Sequence, residues 1–532
     1  MAKLKFLAAA LAVAGSMALA ANCQAQNQAP LFNVAGAAST FNSFALAAAI
    51  SNAGGQSGVC GDHNWTLKNG ATAVDNRSAQ IAATTGNVWI VWNDTPEPNR
   101  TVCAYVSVDS GTAVRLFLAA PIGSLSLPPS DVGANGGNLV PLLPPDTPLP
   151  QSIYNDLNGQ VFNAAPTDFR PEDALYATTR ALTALNQTNY SGLGYGPGPI
   201  GSTILSSFSS KDVQVVSFAL PGQKDPISGQ TVPAAIATDV GASPFVIFVN
   251  TTDSGPAGLG NTIFNNVDRF VLGGVFSGQQ TRTRDLIPSS GLPVVPLTII
   301  TRDPLAAAYN VVEFCDVRST EVSTYAISQE LGVNPSEADG NPLDLTYADG
   351  AVRKRAIGSS EEVSEVGDIA DSIGYAAWSF GNFAPVLTTA KYLTVDGVDP
   401  LYASTSQNPN GPNALPQCSA PCPGAVTLAN VINGSYPLWN ITRVISATPV
   451  PAGISEIISA AQSEVANIPD FVPINQLEVF RSHYTQSGVA PNNGHERSGK
   501  ESGGDMGGAV FTIQADLDFI ADTGAQILNH KQ

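Results

Sequence analysis

The chain has 532 residues, of which 13% are charged, with 49 Gly, 39 Pro and a formal net charge of −19. Its length suits two or more domains, each with its own core. Its acidity argues against nucleic acid and anionic lipid as partners, and no stretch after the N-terminus is long and apolar enough to span a bilayer.

The opening residues, "MAKLKFLAAALAVAGSMALAANCQAQ", predict a secretory leader over residues 1–20. Lys3 and Lys5 precede an apolar stretch from Phe6 to Val13, and Ala18-Leu19-Ala20 offers a small-residue cleavage site. Cys23 follows Asn22, whereas lipid attachment needs a small residue there, so an exported, soluble protein is expected, periplasmic or secreted. Without the leader, 22 basic residues face 43 acidic ones, a net charge of −21. The six cysteines suit the same compartment. They allow 15 pairings. Cys60–Cys103 and Cys418–Cys422 are the pairs expected, with Cys23 and Cys315 left as a third pair or as free thiols.

Taken in order, the elements alternate. "LFNVAGAAST" reads as a strand leading into the helix "FNSFALAAAIS". In "NVWIVWND" the strand alternation sets Trp89 and Trp92 on opposite faces. Those rings are therefore expected in the core under a Cys60–Cys103 staple, not on a sugar-binding platform. "AYVSVDSGT" delivers the chain into "AVRLFLAA", a helix whose first turn holds Ser110, Gly111 and Thr112. Backbone N–H groups at such a start form an anion cradle, although Ser110 also suits a plain N-cap. Arg115, inside that helix, is expected at the surface. Residues 126–151 and 404–424 are rich in Pro and Gly and read as surface loops. Asp168 and Pro171 suit the start of the helix "PEDALYATTRALTAL". "LTIITRDPLA" then leads into "AAYNVVEF", and after a polar tail "FTIQADLDFIADTGAQIL" reads as a last helix. This alternation predicts α/β layering.

Enzyme signatures are missing: there is no G-x-S-x-G, H-E-x-x-H or G-x-x-x-x-G-K-[ST]. His483, His495 and Glu496 lie close together in the tail, where solvated loop histidines are the usual case. No catalysis, metal or cofactor is expected.

The order of these motifs resembles that of the phosphate-binding proteins of bacterial ABC importers, a branch of the type 2 periplasmic binding proteins. The stretches that carry the likeness run from about residue 33 to 450: "GAASTF", "VDSGTAVRLFLA", "NAAPTDFRPEDAL", "RFVLGGVFSGQQTRTRDL", "RAIGSSEEVSEVGDIADSIGYAAWSFGNF" and "VINGSYPLWNITRVI". The resemblance implies a two-lobed α/β fold with long loop insertions at about 46–100 and 121–160. Lobe 1 would span 27–245, lobe 2 246–369, and 370–532 would return to lobe 1 with a C-terminal extension.

It also implies non-catalytic capture of a small oxyanion, phosphate first, in the cleft between lobes, with an ABC permease as partner. Ser39, Thr40, Phe41, Ser110, Gly111 and Thr112 would line the anion site. Asp168 would accept a proton from the anion and so reject sulfate, unless it only caps its helix. Arg302 would clamp two oxygens, unless it simply pairs with Asp303. In "TRDPLAAAYN", Ala306, Ala307 and Ala308 stand where the family has a hydroxyl turn. The rival expectation is a secreted interaction protein that keeps the fold but has lost the ligand, its cleft filled by side chains from 46–100.

Overall fold

The computed structural model describes residues 29–49, 58–175, 218–317, 345–417 and 426–484, with short breaks at 80, 82, 142, 172–173, 277, 288–292, 303–305, 348, 357, 465–469 and 471. It also describes the strand segments 501–504, 507–512 and 530–531.

The apolar run before Ala38 forms β1 (Phe32–Ala37), buried along its whole length, and a short turn then opens α1 (Phe41–Ala49). Two long antiparallel strands follow, β2 (His63–Val74) and β3 (Thr84–Trp92), then β4 (Val102–Val108) and α2 (Ser110–Phe117). Beyond a Pro/Gly-rich connection lie β5 (Ala164–Thr167) and the sixteen-residue β6 (Ala235–Asn250). β7 (Thr298–Arg302), α3 (Tyr309–Asp316, of π type), β8 (Val352–Ala356), α4 (Ser359–Asp368) and β9 (Ser372–Ala377) come next. β10 (Trp439–Ala447) and α5 (Ala452–Glu464) complete the main elements.

Two sheets meet on one strand. β6 pairs with β10 over Ala235–Pro244 and then, from Phe245 to Val249, with β9. Its first half belongs to a mixed sheet ordered β2-β3-β4-β1-β5-β10, and its second half to one ordered β9-β7-β8. The fold is thus α/β with two lobes sharing a crossing strand.

The sheets also place the helix starts. β1 and β4 are parallel, Phe32 opposite Cys103 and Ala37 opposite Val108, so the turn at Ala38 and the start of α2 emerge on the same edge. β7 and β8 are likewise parallel, Thr298 opposite Val352 and Arg302 opposite Ala356. In open α/β sheets ligands bind at such carboxyl edges.

Several expectations are revised here. Residues 63–92 do not form a loop insertion: β2 and β3 extend the first sheet, because their alternating apolar faces find partners on both sides. Trp89 packs with Phe32 and Phe44 on one face, while Trp65 and Trp92 belong to the core on the other. The Cys60–Cys103 bond is present; Cys23, Cys418 and Cys422 lie outside the described residues. The expected return at 370 falls inside the second lobe, since β9 pairs with β6 there and the chain rejoins the first sheet at Trp439. Arg115 is buried, not exposed. Its Nε lies 3.8 Å from Asp75, in a cluster where Arg77 also binds Asp75 and Asp225, and burial lowers its pKa to about 10. The last expected helix opens differently, because Phe511 and Thr512 end a strand, Gly507–Thr512. Among the described residues no helix is long and apolar enough to cross a membrane.

Candidate functional site

Where β1, β4, β5 and β7 end, the lobes enclose a cavity of about 20 Å³. Four helical segments begin on its wall: the turn at Ala38-Ser39, α2 at Ser110, the helical turn at Ala306–Ala308 that runs into α3, and α4 at Ser359. In α2 the first N–H to pair within the helix is that of Ala113, on the Asp109 carbonyl at 2.9 Å. The amides of Ser110, Gly111 and Thr112 therefore precede the ladder, where the helix dipole is positive.

Asp168 follows β5 and is held from both sides. The Ser39 hydroxyl donates to its Oδ1 and the Ser110 hydroxyl to its Oδ2 at 3.1 Å, while Asn440 donates to its main-chain carbonyl. Burial pushes its pKa up to about 6, against the pull of the two serines and of the Arg443 and Arg302 charges. Both hydroxyls and the acid thus form one titratable unit.

Arg302 ends β7 and is 2% exposed. Its Nη1 donates to the Ser359 hydroxyl at 2.8 Å, its Nε to the Ala356 carbonyl at 3.3 Å, and its main-chain N–H to the Tyr375 hydroxyl at 3.1 Å. These partners all belong to the second lobe. Its Nη2 reaches across to the Asp109 carboxylate of the first. Glu362 Oε2 stands 3.9 Å from Nη1, but burial raises Glu362 to about 8, so at neutral pH it is largely uncharged. Among the described residues Asp109 is the close carboxylate partner of Arg302.

The structure brings Ser39, Ser110, Asp168 and Arg302 onto one wall, and leaves the other expected residues off it. Thr40 points its hydroxyl at Tyr105 (2.7 Å) and the Ala37 carbonyl (3.2 Å). Phe41 packs edge-on against Tyr105 with ring centres 5.5 Å apart. Gly111 and Thr112 stand in the first turn of α2 behind Ser110. Asp303 and the tail residues His495 and Glu496 lie outside the described residues, and among those described no group of His, Cys, Asp or Glu could hold a metal ion. Sequence reasoning missed Asp109 and Ser359. Both carried a signal, being polar residues at the entry to a helix in "VDSGT" and "IGSSEEV".

No protein-family model matches the chain, and no curated protein matches it. Solved structures it is similar to include a phosphate binding protein from Stenotrophomonas maltophilia (14% identity, 70% of this chain and 84% of that one, TM-score 0.32). An ABC-type phosphate transport receptor from Vibrio cholerae is 14% identical over 47% of this chain and 76% of that one, with a TM-score of 0.23. PstS from Borrelia burgdorferi is 11% identical over 44% and 68%, with a TM-score of 0.25. At such scores the likeness assigns no ligand.

Proposed function

We propose that this chain is an extracytoplasmic solute-binding protein of the type 2 periplasmic kind, which captures a small oxyanion, phosphate first, between its lobes and passes it to an ABC permease. One observation carries the reading: four helix starts and a buried arginine surround one cavity between the lobes. Helix dipoles and hydroxyls are neutral, so a chain of net charge −19 can still offer positive potential at one point.

The cavity as it stands has room for roughly one water molecule. An anion therefore enters as the lobes part, replacing Asp109 as the partner of Arg302. Asp168 then sits against the anion, which suits a ligand that brings a proton and disfavours sulfate, which brings none. The rival interaction-protein reading needs side chains from 46–100 to fill the cleft; those described leave this small cavity unlined and instead line the wider space that opens from it, at Lys68, Asn69 and residues 84–87.

Isothermal titration with phosphate, arsenate and sulfate tests the proposal. Phosphate and arsenate are expected to bind and sulfate to fail. Arg302→Ala is expected to cost about 2–5 kcal/mol of binding. Absence of binding in the wild type and in the triple variant Ala306→Ser, Ala307→Gly, Ala308→Thr would leave the interaction-protein reading in its place.

A further inference from the structure

The small cavity is not the end of the cleft. A wider space of about 560 Å³ opens beyond it, sharing Ala38, Val108, Asp109, Arg302 and Ser359 as common walls. It runs between the strands β2 and β3 and the helix α4. Inorganic phosphate has no use for that room, whereas pockets of a few hundred Å³ hold small organic ligands.

The lining limits what the ligand can be. Thr84, Thr85, Ser107, Ser360 and Ser364 bring hydroxyls to the lining, Asn69 and Asn87 amides, Glu361, Glu365 and Asp368 carboxylates, and Lys68 an ammonium. Among the described residues no aromatic side chain lines the space, which leaves a base or aryl ring without a stacking partner. Away from Arg302 three carboxylates, Glu361, Glu365 and Asp368, outnumber the single lysine of the lining, Lys68, so a second anionic group there meets net negative charge. The outer part of the ligand is then neutral and rich in hydroxyls, which those carboxylates accept from, while its anionic end lies at Arg302.

We infer that the cleft takes a phosphomonoester of a polyol or sugar, phosphoryl group inward at Arg302 and hydroxyls outward against Thr85, Asn87, Ser364 and Asp368. This rests on the oxyanion reading above and names its ligand class. It also accounts for β2 and β3, which build one wall of the specificity pocket.

The test is isothermal titration of the full chain with inorganic phosphate, sn-glycerol 3-phosphate, glucose 6-phosphate and phosphoethanolamine. At least one polyol ester is expected to bind tenfold or more tighter than phosphate. Thr85→Val and Asp368→Ala, both at exposed positions, are expected to remove at least fivefold of that gain, with thermal melts confirming that the variants fold. Phosphate binding as tightly as both esters overturns the inference and leaves the oxyanion reading intact. Esters that bind tighter but ignore both substitutions overturn the placement, and phosphoethanolamine as the tightest ligand overturns the polyol assignment. If no phosphoryl compound binds, the oxyanion reading fails and this inference with it.

Discussion

Asp168 is the side chain on which pH acts most directly. Its folded pKa, about 6, lies above the ordinary aspartate value of 3.8. A raised carboxyl contributes stability that is complete below the unfolded pKa and is lost as pH rises through the folded one. Wild-type stability is therefore expected to drop by about 2 kcal/mol between pH 4 and pH 8 through this group. Asp168→Asn, which can still bond both serines, should lack that component, as urea melts at the two pH values will show. An anion beside Asp168 raises its pKa further, so binding takes up a proton. Phosphate affinity should weaken from pH 6 to pH 8 in the wild type and vary less in Asp168→Asn. Asp109→Asn is the complementary change. It removes the carboxylate that occupies Arg302 while leaving a good N-cap residue at the head of α2. Tighter phosphate binding, by about tenfold, is the expected result, corresponding to about 1.4 kcal/mol; weaker binding would mean that Asp109 helps to hold the anion.

Among the elements, the staple between Cys60 and β4 has the clearest energetic consequence. It closes a loop of 43 residues that contains β2 and β3. Its reduction is expected to cost about 2–4 kcal/mol, seen as a lower urea midpoint with dithiothreitol. The same region shows how far local pattern carries. Strand alternation predicted opposite faces for Trp89 and Trp92, and they enter separate core clusters. It did not reveal that β2 is a sheet member, because Asn69 and Gly70 break the register between Leu67 and Ala71. Helix α2 was legible throughout, its apolar spacing and its Ser-Gly-Thr start agreeing with Ser110–Phe117.

For the molecule as a whole, the two lobes share β6, and Asn42 of α1 donates to Ser379 beyond β9. A ligand bound between the lobes touches both. Hydrogen exchange with saturating phosphate should then slow amides at the start of α2 and at the start of α4 together. Protection confined to one lobe would place the ligand outside the cavity. Phosphate at 100 times its Kd should also add about 2.7 kcal/mol to global stability.

What could be known from the residues alone was local: the strand-to-helix order, the hydroxyls that open α2, and the half-cystines that meet at Cys60 and Cys103. These properties follow from periodicity and residue chemistry along short stretches of chain. The convergence of Ser39, Ser110, Asp168 and Arg302 depends instead on which strands run parallel and where β6 changes partners, pairings made across 58 to 193 residues of chain. Burial belongs to the same class. Arg115 reads as an ordinary surface charge, and only packing on every side, which removes water and disfavours the charged form, makes it a core cation and Glu362 a neutral acid at pH 7.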